Sequence, residues 1–509
     1  MRQIIIKKNR YVDSVTLMSI GDKILKIEGI ENAEVQMGTR ANQELLKELG
    51  YEIPEGTGAD DLVMAVTGDT KAHLDIAIQG MEDILAHRFE EETVYSNLED
   101  VDLEKTPFDL VQISLPGRYA GREAHKALDK GMNVFIFSDN VSLAEERALK
   151  EKGRQKDLLV MGPDCGVAMV GGVCLGAGSI QKKGHVGIVA ASGSGAQEVA
   201  CLLEKFGLGI SSLIGTGGRD LYPEIGGIEM LQGLEMLAKD SETEAIVLVS
   251  KLADYDVMKK VLEAADKVVK PVTAVFLGSD KALFEGHRVR GAFSLEEAAC
   301  KTAALLMGKN EIAFGYTEEE IESIAEKEMS RYGEKQKYFR GLYCGGTFTE
   351  EGLLYYSRIP GIELHSNLNT AYAQKLPDSH VSVGHTILDM GAEDFTAEAP
   401  HPVFEPKLRI KRLQKEIDDD ETAVILLDFI TGPGVASDPF TPFLETVNRN
   451  KGRYITYITN ICGSLQDPQD IAGKKKMLEE AGIIVTGSSY ESARLAGALM
   501  KKLEGRKGK

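Results

Sequence analysis

A strand that runs straight into a turn of small residues and then a helix restricts this chain more than any other feature. The unit spans Gly184 to Gly207, GHVGIVAASGSGAQEVACLLEKFG. Val186 to Ala191 reads as a buried strand, Ser192-Gly193-Ser194-Gly195 as the turn, and Ala196 to Phe206 has helical spacing. Small side chains let a ligand approach the backbone, and the opening turn of a helix presents unpaired N–H groups at the positive end of its dipole. Ser192, Gly193, Ser194 and Gly195 are therefore candidate ligands of a phosphate or carboxylate. The same pattern also serves as a plain tight connection, so one copy does not decide between the two.

The chain repeats the unit. GLYCGGTFTEEGLLYYS, from Gly341 to Ser357, again reads strand, small-residue turn, helix, with Gly345, Gly346 and Thr347 in the turn. Both copies continue alike: Ser241-Glu242-Thr243-Glu244 leads into AIVLVS, and Asp419-Asp420-Glu421-Thr422 leads into AVILLD. Two such units predict two helix N-termini aimed at one site across a domain interface.

A length of 509 residues suits about three to four domains. Hydrophobic residues at 43% and charged residues at 27% are a globular composition. A net charge of −20 argues against a nucleic-acid partner. The opening MRQIIIKKNR is too short in apolar residues for a signal peptide, and no later run approaches membrane-spanning length. A cytoplasmic protein without a membrane partner is the expectation. The six cysteines show no CxxC or Cys/His spacing, so neither a disulfide framework nor a metal site is expected.

Residues 1–97 read as a small α+β domain, with strand candidates at Thr16–Ile20 or its flanking run, Ala33–Met37 and Leu62–Val66, and a helix over Ala72–Phe89. The acidic run Glu90–Glu104 reads as a solvated linker. From Phe108 strands and helices alternate, the pattern of a doubly wound parallel sheet whose ligands bind beyond the carboxyl ends of the strands. Pro116, Ser138 and Gly162 fall at such ends. Glu318–Lys337 is charged and helical in pattern, an interdomain helix and linker, and a second α/β unit follows.

In order, GPDCG (Gly162–Gly166), GHVGIVAASGSG, GTGG (Gly215–Gly218), SETEAIVLV and KPVTAVFLG (Lys270–Gly278) resemble the succinyl-CoA synthetase α subunit from about Phe108 to Met307. The second unit resembles the CoA-ligase domain of the β subunit, fused in tandem. With CGSLQDPQD (Cys462–Asp470), GHTILDMGAEDFT and APHP, the whole chain resembles the FdrA family of acyl-CoA-synthetase-like proteins. The resemblance implies a CoA-binding Rossmann-like domain at 98–185, two tandem flavodoxin-like ligase domains at 186–310 and 338–509, and an active site at the junction of the ligase domains. One half of the site would be Ser192–Gly195, the other Gly345–Thr347. Pro116, Pro163, Cys165, Gly217, Gly218, Asp467, Pro468 and Gln469 would line the CoA or substrate side.

The chain departs from that pattern at two places. The family carries a phosphohistidine in a glycine-rich loop after the KPV strand; here the candidate is His287 in EGHRVRG, and Ser294-Leu295-Glu296-Glu297 already opens the closing helix. Where the family has an acidic residue to orient that imidazole, this chain has Ser250-Lys251-Leu252. No Walker A sequence or ATP-grasp-sized segment is present, so ATP and Mg²⁺ would come from a partner subunit.

Three readings remain open at this stage. One is acyl-CoA ligase chemistry on an acyl phosphate or acyl-CoA within a homo- or hetero-oligomer. Another is direct transfer from a carbamoyl phosphate, as in the oxamate carbamoyl transfer attributed to some FdrA relatives, with no phosphohistidine. The last is a regulatory or assembly subunit without catalysis. His401 and His385 are loop candidates for substrate ligand or general acid, or bland loop residues. Asp467 could be a helix cap instead, Cys165 and Cys344 inert buried thiols, and Arg219 and Asp220 either a carboxylate clamp or a surface pair.

Overall fold

The computed structural model describes residues 1–12, 14–91, 97–105, 107–251 and 253–507, in two compact units, Met1–Pro107 and Phe108–Lys509. Residues 92–96, within the expected acidic linker, lie outside the described residues, as does Leu252. In the first unit a three-stranded antiparallel sheet has the order Arg2–Lys7, Leu62–Gly68, Ile30–Met37. The segment expected as a strand at Thr16–Ile20 is instead a helix, Ser14–Ile24. Its apolar residues fit either period, but Leu17, Ile20 and Ile24 share one buried face at helical spacing, and Arg2–Lys7 supplies the strand.

The second unit opens with a Rossmann-like lobe. Leu110–Ile113, Asn133–Ile136 and Val160–Met161 form a parallel sheet, with helices Gly117–Asp129 and Leu143–Lys156 in the crossovers.

Two seven-stranded flavodoxin-like lobes follow. The first has the spatial order Arg290–Ala292, Val272–Phe276, Ala245–Ser250, Lys183–Ala191, Ile210–Gly215, Val167–Val170, Val173–Gly176. Its last two strands come from the segment before residue 186, so this sheet borrows from the chain expected to close the Rossmann lobe. The second runs Gln374–Lys375, Leu364–Ser366, His385–Asp389, Tyr338–Tyr343, Thr422–Ile430, Thr456–Cys462, Ile484–Thr486, all parallel. In each lobe the first strand of the repeated unit lies in the sheet interior, which puts the helix after it at the point where strand order reverses.

The lobes share one apolar core. It takes Val199 and Leu203 from the helix Gly193–Lys205, Ala298 and Ala299 from Leu295–Leu306, Phe348 and Leu353 from Gly346–Tyr356, and Leu495 and Leu499 from Ser489–Lys507. At about 25 cal/mol per Å² of apolar area removed from water, such a continuous core holds the lobes as one body.

Candidate site between the two ligase-like lobes

The small-residue turns are parts of the helices themselves. The helix expected from Ala196 starts at Gly193, because Ser192 is its N-cap and its Oγ accepts from Gly195 N at 3.1 Å. In the second lobe Gly345 is the N-cap and offers no side chain, so the first turn, Gly346 and Thr347 included, has no side-chain cap. That turn is set from below. The Asp428 carboxylate accepts from Cys344 N at 2.7 Å and Gly345 N at 2.8 Å, and Arg409 holds the same carboxylate at 2.6 Å.

The two N-termini meet. Ser192 Oγ and Thr347 Oγ1 are 2.6 Å apart, both residues buried, and a side chain on Gly195 would begin 3.1 Å from Thr347 Cγ2. Gly193 faces Gly166 of the Rossmann-lobe loop. Pro163, Gly217 and Gly218 belong to the same corner: the Pro163 carbonyl occupies the space beside Gly217, and Asp164 Oδ2 lies 3.8 Å from where a Gly218 side chain would begin. Ser192–Gly195, Gly345–Thr347, Gly217, Gly218 and Pro163 are thus brought to one junction.

Lys251 lies there too, a residue that sequence reasoning registered only as a missing acid. It directly follows the strand Ala245–Ser250, whose Ser250 pairs with Ala191, so Lys251 and Ser192 leave adjacent strands at the switch point. Its Nζ is 3.3 Å from Glu350 Oε1 and 3.3 Å from where a Gly346 side chain would begin. Burial works against the ammonium, but Glu350 and Asp389 outweigh it and raise its pKa, so it stays charged. Asp389 ends its strand with Oδ1 on Gly391 N at 2.9 Å and Oδ2 facing Gly346. Burial pushes its carboxyl up to about 6, against the pull of Lys251. The sequence signal available for both was their place at strand carboxyl ends.

His401 adjoins this group. Its Nε2 faces Gly391, and its Nδ1 accepts from Val403 N at 3.2 Å, so the ring proton belongs on Nε2. Burial pushes its pKa down to about 4, which makes it a neutral hydrogen-bond donor at pH 7.

Other sequence candidates sit elsewhere. His287 precedes the strand Arg290–Ala292, whose Arg290 pairs with Thr273 at the start of its neighbour, so the histidine lies at the amino ends of the strands. There its Nδ1 is bonded to Asp266 at 2.6 Å, and the short loop returns directly into the sheet. The geometry therefore separates it from the junction at the carboxyl ends. His385, at the amino end of its own strand, is bonded to Phe339 N and Glu504. Asp467 and Gln469 are spent on structure: Asp467 accepts from Ile180 N, Thr431 and Ser464 N, while Gln469 spans Gly432 and Ala436. Pro468 between them and Pro116, beyond its strand end, are exposed. The Cys165 thiol bonds Val167 O and is pushed up to about 12 by burial, and burial raises Cys344 well above the ordinary thiol range. Arg219 pairs with Glu146 and Asp220 with Lys150, tying the Rossmann lobe to the first ligase-like lobe rather than to each other.

Two flavodoxin-like lobes with convergent helix N-termini, joined to a Rossmann-like lobe, define an α/β protein of the succinyl-CoA synthetase type. Family models match as the AllF heavy metal-associated domain over residues 1–100, the CoA binding domain over 181–278 and the CoA-ligase over 342–499. The chain belongs to the FdrA family of acyl-CoA-synthetase-like proteins, being 37% identical over 513 residues, 99% of each chain, to the uncharacterized protein YahF of Escherichia coli. It is also 28% identical over 218 residues to the succinate–CoA ligase [ADP-forming] subunit alpha 1 of Archaeoglobus fulgidus, covering 42% of this chain and 72% of that one. Among solved structures, the ATP citrate lyase of Methanothrix soehngenii with citrate and coenzyme A aligns over 42% of this chain and 38% of its own at 20% identity and TM-score 0.33.

The heavy-metal description of the first model does not fit the residues present. Soft metals are held by thiolates. The first cysteine of this chain is Cys165, and no group of three His, Cys, Asp or Glu side chains that could hold a metal occurs among the described residues. Among the same residues no helix is long and apolar enough to cross a membrane.

Proposed function

We propose that this chain handles an activated acyl group as its phosphate, at an anion site between the two ligase-like lobes. The observation that carries the reading is the 2.6 Å contact of Ser192 with Thr347, which sets the two helix N-termini side by side. An acceptor attacks the carbonyl carbon, the bond from that carbon to the phosphate oxygen breaks, and phosphate leaves with the electron pair. Backbone N–H groups of Gly346 and Thr347 meet the growing charge on the leaving oxygen. Asp389, beside them, takes the acceptor's proton. Where CoA is the acceptor, it supplies a thiol. The exposed Pro116, Arg118 and Tyr119 at the uncapped start of the helix Gly117–Asp129 are the surface that would hold its phosphates. Any nucleotide and Mg²⁺ step is assigned to a partner subunit.

The place of His287 favours direct transfer, from an acyl or carbamoyl phosphate, over a phosphohistidine relay. A swinging imidazole has to reach the junction, and this one is held by Asp266 at the other end of the sheet. The test is incubation of the purified protein, with and without its co-purifying subunits, with labelled acetyl phosphate or carbamoyl phosphate. Turnover unchanged in His287→Ala and lost in Thr347→Val is the expected result. Acid-labile label on His287 would overturn the direct route, and no binding or turnover of either phosphate would leave an assembly role as the better reading.

A further inference from the structure

We propose that Lys251 is the cation that binds the phosphate group of the substrate directly, so that this site takes a preformed carbonyl phosphate and builds no phosphoenzyme. The inference rests on the junction being the substrate site and adds to it the group that recognises the phosphate.

An ammonium placed at two positive helix ends is electrostatically out of place unless negative charge accompanies it. In this structure the charge comes from the second ligase-like lobe and from the Rossmann-lobe loop. Glu350 of the second ligase-like lobe contacts Lys251 at 3.3 Å, Asp389 faces the same turn, and the charge of Asp164 in the Rossmann-lobe loop adds to theirs. Asp164 stands in a left-handed backbone conformation, φ 56°, with its N–H on Ser138 O at 2.9 Å. Glu350 is the replaceable partner: its contact is long for a charge-assisted bond, and its side chain and that of Lys251 are each about a third exposed. Asp389 is the fixed one, 8% exposed and anchored through Oδ1, with its Oδ2 turned toward Gly346. A phosphate dianion entering beside Gly346 takes over from Glu350 the neutralisation of Lys251. It gains first-turn N–H groups that a side-chain carboxylate on the same helix does not reach.

The protonated state also fixes the kind of chemistry. A lysine acting as nucleophile needs its free amine, which the surrounding carboxylates suppress. Lys251 is therefore a docking and charge-stabilising group, and no bond forms to it.

The experiment is calorimetric titration of the full-length protein with inorganic phosphate and with acetyl phosphate, alongside thermal melts. Lys251→Met is expected to weaken both anions by about thirtyfold or more, Lys251→Arg to stay within about fivefold of the parent, and Glu350→Gln to bind about threefold more tightly. The gain in Glu350→Gln cannot arise from damaged folding. Parent-like affinity in a folded Lys251→Met protein would overturn the role of Lys251 while leaving the site intact. Failure of the parent protein to bind either anion would overturn the site itself and this inference with it.

Discussion

At the residue scale, Asp389 is the group whose charge the site can change. Burial has moved its carboxyl to about 6, so it is ionised at neutral pH and neutral in mild acid. Sulfate keeps two charges throughout that range and isolates the protein's own titration. It should bind about tenfold more tightly near pH 5 than near pH 8, because the repulsion from Asp389 is gone. Asp389→Asn should bind near pH 8 as the parent does near pH 5. A flat sulfate affinity across that range would place Asp389 outside the site. Residues of this kind show how far the sequence could be read. Ser192 and Gly346 could be singled out because the same strand, small-residue turn and helix occur twice in the chain. Lys251 did not, because only the partner lobe's Glu350 and Asp389 give an isolated strand-end lysine a role. Asp467 misled in the other direction: a polar residue past a strand end in a family motif looked like ligand chemistry, and its oxygens are consumed by Ile180, Thr431 and Ser464.

At the scale of elements, the repeat has a closer expression than the spacing of its motifs. Glu198 stands six residues beyond the Ser192 cap and accepts from Ser489 N, the first N–H of the other lobe's closing helix, at 2.8 Å. Glu351 stands six beyond the Gly345 cap and accepts from Leu295 N, the first N–H of the first lobe's closing helix, also at 2.8 Å. The exchange was hidden in the sequence because a glutamate in a helix ordinarily reads as a solvated charge. Its setting has a measurable cost. Burial raises Glu351 from 4.5 to about 8 and Glu296 nearby to about 7. A carboxyl that holds its proton more tightly when folded loses stability as pH rises from its unfolded pKa to its folded one, and none beyond. Stability should therefore fall by a few kcal/mol between about pH 4.5 and about pH 8 through these groups. Glu351→Gln keeps an oxygen for Leu295 N and cannot ionise, so it should melt higher than the parent near pH 8 and show a flatter pH profile. A lower melting temperature for the variant at that pH would refute the account.

For the molecule as a whole, the apolar cores divide at Pro107. Leu17, Val35, Met64, Leu74 and Met81 pack among themselves as the core of the first unit. A protein consisting of 108–509 should fold, melt within about 2 °C of the corresponding transition in the parent and bind phosphate equally well. Aggregation of that fragment would show the first unit to be part of the fold it precedes. The layered α/β plan was legible from alternation and turn chemistry. The borrowing of Val167–Val170 and Val173–Gly176 by the neighbouring sheet was not, since short strands carry no mark of the sheet they will join.

The crossed glutamates also bear on the order in which this chain can finish. When synthesis has passed Leu306, the closing helix of the first lobe has its Ser294 cap, but the carboxylate that accepts from Leu295 N arrives only at residue 351. The second lobe depends on Glu198, already made. The first N–H of the first lobe's closing helix therefore stays without its carboxylate until the later half has been made.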